Sequence, residues 1–188
     1  MKNRLEYLLK SITAFEREEL DVILGCFEPK LVRKNTMLVR AGEVCREFYY
    51  VNTGCLRTGF LDRNGDEKTR LVMTDCNIGT ALASFISQKS SMEFIEVVED
   101  TELLAISQSS FYRLNQECQS WNFFYQRILE MAYSYQNRRI EQLVTLSAKQ
   151  RYEQVLNDHP SLIQKLSNKM LASYLDIREE TLSRLKSL

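Results

Sequence analysis

The C-terminal stretch SNKMLASYLDIREETLSRLKSL, residues 167–188, constrains the fold more than any other part of the chain. Ser167 predicts a helix start, because its hydroxyl can accept a hydrogen bond from an unpaired backbone N–H. Apolar residues then recur at helical spacing up to Leu175, and residues 176–178 predict a break before a second helix. Two short helices joined in this way predict a helix-turn-helix, which in DNA-binding proteins places its second helix in the major groove. An ordinary helical hairpin is the alternative.

A second constraint is the run of short apolar segments between Phe27 and Ile106, which turn residues separate. Alternating segments of this kind are typical of antiparallel strands, and many in succession predict a barrel or jelly roll. Gly54 predicts one turn, and Asn64-Gly65 predicts a type I′ hairpin, which needs two residues with positive φ. The predicted strands are residues 36–39, 47–52, 55–61, 67–74, 92–98 and 102–106.

Helical patterns flank these strands on both sides. Residues 4–25 predict a helical region in which Thr13 and Glu16 form a capping box. Residues 119–146 predict one long helix, and Ser147 predicts a second capping box that starts the next helix. Three domains are therefore expected, and they comprise residues 1–118 with the strands, residues 119–146 and residues 147–188.

The apolar residues of the long helix recur at alternating steps of 3 and 4. This is the spacing of the a and d positions of a coiled coil, where such residues face a second helix. A helix that packs only on its own sheet is the alternative, but this helix is longer than a small sheet can cover. We expect a dimer seam made of Trp121, Phe124, Ile128, Met131 and Tyr135.

Composition excludes several classes of protein. Of the 188 residues 44% are hydrophobic, which supports a substantial core, and no apolar run is long enough to cross a membrane. The first residues lack the apolar core of a secretory signal, and five cysteines without a CxxC pair favour a cytoplasmic protein. The net charge is zero, but nine basic and six acidic residues from Asn137 onward make the C-terminal part positive.

Sites for catalysis, metals and cofactors are not expected. The sequence has no P-loop, no GxSxG motif and no cluster of ligands at metal-binding spacing. Its cysteines are widely spaced, and in strands such residues are usually small buried apolar groups. The one histidine, His159, precedes Pro160 and lies outside the predicted strands. We therefore expect neither enzymatic activity nor a bound cofactor or metal.

The chain resembles the Crp/Fnr family of bacterial transcription regulators in the order and size of its elements. These are the first helical region, the strands, the long helix and the helix-turn-helix. The most specific motifs are LVRAGEVCREFYYVNTGCLRTGF (38–60), the following NGDE hairpin, EDTELLAIS (99–107) and the C-terminal stretch. The resemblance implies an α+β fold with an N-terminal antiparallel β-roll (a jelly roll of the cyclic-nucleotide-binding type), a dimerisation helix and a C-terminal helix-turn-helix. It also implies a homodimer that binds a palindromic operator in double-stranded DNA, acts on RNA polymerase and, in many members, senses a small effector.

The resemblance places an effector pocket in the roll, but the motif there departs from the family's pattern. In members that bind cyclic nucleotides, a Gly-Glu pair and a later Arg hold the ribose and the phosphate. Here Gly79 matches the glycine, Thr80 stands where the Glu would be, and no Arg lies between Phe85 and Val98. A buried phosphate without its guanidinium is unfavourable, so we expect an unknown small-molecule effector that is not cAMP, or none. The degenerate pocket comprises Gly79, Thr80, Ser90, Ser91, Gln136 and Asn137.

The family's base-reading motif aligns with EETLSR at residues 179–184, where Glu179 replaces a base-reading Arg. Glu180 can accept a hydrogen bond from a cytosine amino group, and the Arg184 guanidinium can donate two to a guanine. Lys169 begins the helix that crosses the phosphate backbone. Alternatively, the acidic pair only stabilises the N-terminus of its helix. The expected DNA contacts are Lys169, Arg178, Glu179, Glu180, Thr181, Ser183 and Arg184.

Two functions therefore remain open. The first is a dimeric DNA-binding transcriptional regulator, which the intact helix-turn-helix pattern favours. The second is a ligand-binding or protein-interaction module of the same fold whose helix-turn-helix no longer binds DNA specifically. Glu179 and the near-neutral charge favour this second interpretation.

Overall fold

The structure, a computed structural model, describes residues 1–187. Leu188, the last residue of the expected C-terminal domain, lies outside the described residues. In chain order the elements are α1 (Lys2–Ile12), α2 (Arg17–Gly25), β1 (Glu28–Val32), β2 (Met37–Val39), β3 (Glu47–Leu61), β4 (Glu67–Met73), β5 (Ile78–Gly79), α3 (Leu82–Ser87), β6 (Glu93–Ser107), α4 (Gln108–Glu117), α5 (Gln119–Thr145), α6 (Ala148–Asp158), α7 (Pro160–Lys165), α8 (Asn168–Leu175) and α9 (Glu179–Lys186). None of the helices in this described part combines the length and the apolar character needed to cross a bilayer.

The long strands β3 and β6 lie side by side at the centre of one antiparallel sheet. Strand β6 also pairs with β1 and β2, and β3 also pairs with β4 and β5. Strand β4 therefore forms one edge of the sheet. An antiparallel roll flanked by helices is the α+β architecture expected from the sequence, and that expectation is confirmed.

Two pairs of predicted strands are each a single strand in the structure. The segments on either side of Gly54 form β3, and the segments 92–98 and 102–106 form β6. Gly54 has a φ of +119°, and the β3–β6 register shifts around it. A Cβ on Gly54 would lie 2.3 Å from Oγ1 of Thr101 on β6. The glycine therefore marks a bulge, which bends a strand without ending it.

The loop between β3 and β4 also differs from the predicted type I′ turn. Gly65 has a positive φ of +84°, but Asn64 does not. The Asp62 carboxylate instead accepts hydrogen bonds from the backbone N–H groups of Asn64 and Asp66, at 2.8 and 3.0 Å. This side-chain closure explains the difference, because an Asp that binds the backbone two residues on replaces part of a backbone turn.

Two of the three predicted helix caps are present. The hydroxyl of Ser147 accepts a hydrogen bond from the N–H of Gln150, and the two residues form the expected capping box. The hydroxyl of Ser167 accepts from the N–H of Met170 at 3.2 Å. The capping box at Thr13 is wrong, because Thr13 ends α1 and the next helix begins after Glu16 without a side-chain cap.

The main core lies between the roll and the helices α1, α2, α4 and the first half of α5. Trp121 is fully buried there and its Nε1 donates a hydrogen bond to the carbonyl of Phe111 at 3.1 Å. Its ring also contacts Phe27 and Phe124 edge-on or tilted, with centroids 6.2 and 4.9 Å apart. The first half of α5 is thus an internal helix of its own protomer.

This packing corrects the predicted dimer seam. Trp121, Phe124 and Ile128 are buried within the protomer, because α1, α2 and α4 cover that face of α5. Met131 is 58% exposed, and the hydroxyl of Tyr135 lies 3.3 Å from that of Tyr174 on α8. The five residues share one face of α5, but the protomer itself covers most of that face, so a second helix could not contact all five.

A second core joins the C-terminal helices to each other and to the roll. Leu171, Leu175 and Leu182 are fully buried in it. Cys55 and Val98, on the central strands, belong to the same cluster. Burial raises the pKa of the Cys55 thiol to about 12, so this cysteine is a protonated, apolar part of the contact.

Candidate DNA-binding surface and effector cavity

The predicted break between α8 and α9 has the geometry of a tight turn. Asp176 adopts the left-handed conformation, with φ 53° and ψ 53°, at the end of α8. The N–H of Ile177 then donates to the carbonyl of Ala172 at 3.0 Å, and the half-buried Ile177 side chain packs against the second core. Ile177 therefore joins the turn between the two helices to the second core.

The buried side of α9 leaves a polar outer face. Glu179, Glu180, Ser183 and Arg184 are exposed, and Thr181 is half-buried beside Leu182. Arg178 and Lys169, just outside α9 and at the start of α8, are also exposed. All seven residues that the sequence proposed for DNA contact thus lie on or next to the two helices.

The basic side chains of this surface differ in their partners. Lys186 donates a hydrogen bond to Oδ1 of Asn168 at 2.7 Å. Within residues 1–187, neither Arg184 nor Lys169 makes an ion pair or a side-chain hydrogen bond. Arg184 and Lys169 therefore present charge to solvent that no side chain in the described part of the chain neutralises.

Helix α8 is docked on the edge strand of its own roll. The hydroxyl of Ser173 accepts a hydrogen bond from the N–H of Thr69 and donates one to the carbonyl of Glu67, both at 2.8 Å. The Arg139 guanidinium on α5 lies 4.6 Å above the Tyr174 ring and donates to the Tyr174 carbonyl. The sequence did not predict these contacts, because its pattern shows Ser173 only as a polar residue on a helix and not what that residue contacts.

A cavity of about 560 Å³ lies between the roll and α5. Its walls come from β4, β5 and α3 on one side and from the middle of α5 on the other. Most of the lining side chains are apolar, namely Phe48, Leu71, Ile78, Leu82, Ala83, Ile86, Ile128, Leu129, Met131 and Ala132.

Three of the six predicted pocket residues line this cavity, namely Gly79, Thr80 and Gln136. The Thr80 hydroxyl is not directed at a ligand, because it donates to the carbonyl of Glu47 at 2.7 Å and contacts the Cys45 thiol. Gly79 leaves no room for a side chain, since a Cβ there would lie 2.3 Å from Sδ of Met73.

The other three predicted pocket residues lie elsewhere, which corrects the pocket drawn from the sequence. Ser90 is exposed and bridges to Val44. The Ser91 hydroxyl donates to the carbonyl of Glu93 at 2.8 Å, so it stabilises the start of β6. Asn137 is exposed on α5, where one residue turns the side chain about 100° away from Gln136.

The cavity contains an ion pair that the sequence reasoning did not find. Nη2 of Arg70 on β4 lies 2.7 Å from Oε2 of Glu93 on β6, and both side chains are largely buried. The family's pattern places the phosphate-binding Arg between Phe85 and Val98, whereas Arg70 precedes Gly79. The pairing depends on the sheet bringing the two strands together, so local sequence carries no signal for it.

The second half of α5 exposes an apolar face whose first residues also line the cavity. Tyr133, Ile140 and Val144 are 70%, 59% and 79% exposed. Tyr133 and Ile140 follow alternating steps of 4 and 3 together with the half-buried Leu129 and Gln136 and with Leu143, and Val144 lies next to Leu143. This face has the coiled-coil spacing that was assigned from the sequence to the neighbouring, buried face.

Comparison with known proteins identifies the roll. Residues 29–118 match the family model of the cyclic nucleotide-binding domain. No curated protein sequence matches the chain. Within residues 1–187, no group of three or more His, Cys, Asp or Glu side chains is arranged to hold a metal ion.

Solved structures extend the likeness to nearly the whole chain. A transcriptional regulator assigned to the Crp/Fnr family, from Eubacterium rectale, is 20% identical with a TM-score of 0.73, over 91% of this chain and 82% of that one. The c-di-GMP-responsive global regulator CLP of Xanthomonas campestris is 16% identical with a TM-score of 0.71, over 92% and 90%. The catabolite activator protein of Thermus thermophilus is 19% identical with a TM-score of 0.59, over 93% and 83%. The chain therefore has the fold of the Crp/Fnr-type regulators, and its residues 29–118 match the cyclic nucleotide-binding domain.

Proposed function

We propose that the protein is a dimeric, DNA-binding transcriptional regulator whose sensory cavity does not bind cAMP in the usual way. The observation that carries this proposal is the polar outer face of α9, which Leu182 anchors and on which Arg184 is exposed with no ion-pair partner among residues 1–187. A helix held in this way can enter the major groove, and a guanidinium on it can donate two hydrogen bonds to one guanine. By the same family likeness, RNA polymerase is the proposed further partner.

The three units of the chain have separate roles in this proposal. Residues 1–118 form the sensory roll, residues 119–146 the dimerisation helix and residues 147–188 the DNA-reading domain. The exposed apolar face of α5 supports dimerisation, because large apolar side chains at coiled-coil spacing are stabilised by burial against a second helix. A dimer would place two copies of α9 on the two halves of a palindromic site.

A second candidate function is a ligand-binding or protein-interaction module whose helix-turn-helix no longer binds DNA specifically. The exposed carboxylates of Glu179 and Glu180 favour it, since they stand at the start of the helix that would approach the phosphates. The unpartnered basic residues Arg184 and Lys169 favour the regulator instead.

The DNA-binding proposal predicts different effects for two substitutions on this surface. Arg184→Ala is expected to remove about 1–3 kcal/mol of preference for the operator and to leave weak non-specific binding, because it removes a base contact. Lys169→Ala is expected to weaken binding to all duplexes equally and to lower the salt slope by about one, because it removes a phosphate contact. The measurement is a titration of both variants with a selected operator and a scrambled duplex at several salt concentrations.

Equal weakening of both duplexes by Arg184→Ala would reduce Arg184 to a phosphate contact. An absence of salt-dependent binding by the unmodified protein to any duplex would favour the interaction module, because all DNA binding weakens with salt.

The cavity predicts no specific binding of cAMP or cGMP. Within the described chain, Arg70 is the one basic side chain in its lining, and Glu93 already neutralises it. Thr80 replaces the carboxylate that would take the ribose hydroxyl, and its own hydroxyl is committed to Glu47. Calorimetry with either nucleotide at millimolar concentration is expected to show no saturable heat. A micromolar dissociation constant would contradict this expectation and would require Arg70 to leave Glu93.

A further inference from the structure

The lining of the cavity between the roll and α5 indicates the chemistry of what it binds. A volume of about 560 Å³ falls within the range of small-molecule sites, which are mostly apolar with a few polar groups that fix orientation. Here aliphatic and aromatic side chains form both walls, among them Leu71 and Ile78 on the sheet and Ile128 and Ala132 on α5. Burial of apolar ligand surface against such walls is favourable.

The ion pair in the cavity disfavours charged ligands. Arg70 and Glu93 are 17% and 12% exposed and 2.7 Å apart, so their charges cancel within the lining. An anionic ligand would have to displace the Glu93 carboxylate or lie beside it, and both arrangements leave a partly buried charge without compensation. A cationic ligand meets the same obstacle at Arg70.

Uncharged polar groups complete the lining. Burial raises the pKa of the Tyr135 hydroxyl above its usual range, so the phenol stays neutral. Gln136 and Asn77 add amide groups that can donate or accept. These groups can hold a hydroxyl, carbonyl or amide of a ligand without adding charge.

We propose that this cavity takes an uncharged, largely apolar small molecule with one hydrogen-bonding group. The inference deepens the sensory role proposed above and rests on it for its biological meaning. The assignment of ligand class rests only on the cavity itself, so it can fail while DNA binding stands, and the reverse also holds.

The test compares two fluorescent probes with closely related aromatic frameworks. N-phenyl-1-naphthylamine is uncharged, and 1-anilinonaphthalene-8-sulfonate carries a sulfonate. The unmodified protein is expected to bind the uncharged probe saturably and at least about tenfold more tightly than the sulfonate, since a tenfold ratio corresponds to about 1.4 kcal/mol. Glu93→Gln leaves Arg70 without its neutralising partner, and this variant is expected to gain about tenfold in affinity for the sulfonate. Glu43→Gln makes the same chemical change at an exposed site in the roll and is expected to change neither affinity.

A cavity-filling variant separates binding in the cavity from adsorption to the surface. Ala132→Trp is expected to abolish saturable binding of the uncharged probe, whereas Ala14→Trp, at an exposed site, leaves it unchanged. If Ala132→Trp does not fold, Ile86→Asp replaces it, because Ile86 lines the cavity but is 46% exposed. Equal affinity for the two probes, an unchanged response in the filled variant, or no saturable binding overturns the proposal. Operator titrations on the same samples report separately on the DNA-binding function.

Discussion

Replacing Tyr133 and Ile140 with aspartate is expected to convert the protein from a dimer to a monomer. Both side chains are more than half exposed in the protomer, so the substitutions do not disturb its core. In a dimer they would lie about two helical turns apart along the helix–helix contact, where four carboxylates would be buried without partners. Sedimentation of the double variant should give the monomer mass. Affinity for a palindromic operator should fall by about 10²–10⁴-fold, because two linked half-site contacts become one.

A matched control lies on the same helix. Met131 is also more than half exposed, but it lies about 160–180° around α5 from Tyr133 and Ile140. Met131→Asp should therefore remain dimeric. The opposite result would be a monomeric Met131→Asp variant and a dimeric double variant. It would support the dimer seam that was first predicted from the sequence.

Trp121→Ala is expected to lower the free energy of unfolding by about 3–5 kcal/mol, which is the usual cost of removing a large buried aromatic side chain. Trp121 is fully buried among Phe27, Phe111 and Phe124, and its indole N–H binds a backbone carbonyl. The measurement is chemical denaturation at one fixed protomer concentration, because the stability of a dimer depends on concentration.

Phe123→Ala provides the comparison for this variant. The residue lies two positions along the same helix and is 50% exposed, so its truncation should change the free energy of unfolding by less than about 1 kcal/mol. The contrary result would be that Trp121→Ala dissociates the dimer but leaves the protomer as stable as the Phe123→Ala protomer. Trp121 would then belong to an interface between protomers and not to a core.

The sequence predicted the class of the fold better than it predicted the surfaces of α5. Two stripes on this helix share the coiled-coil spacing, one through Trp121 and Ile128 and one through Tyr133 and Ile140. Periodicity shows that a stripe is apolar but not what covers it. What covers the first stripe depends on tertiary packing against α1 and α2, which are distant in sequence, and against α4, which directly precedes α5.

In the candidate sites, local features could be predicted from the sequence and long-range contacts could not. Caps and turns at Ser147, Ser167 and Asp176 could be found from the sequence, because each depends on hydrogen bonds to residues no more than about four positions away. The Arg70–Glu93 pair could not, since 23 positions separate its members and only the sheet register joins them. Residues that contact each other across the fold leave no local pattern.

The docking of Ser173 on β4 also protects the protein against aggregation. An edge strand with free N–H and carbonyl groups is a template on which another chain can add a strand. The Ser173 hydroxyl satisfies the N–H of Thr69 and the carbonyl of Glu67 on that edge, and α8 covers them sterically. Any rearrangement that moves α8 and α9 away from the roll must therefore expose this edge. Helix α8 thus also keeps this edge of the sheet from pairing with another chain.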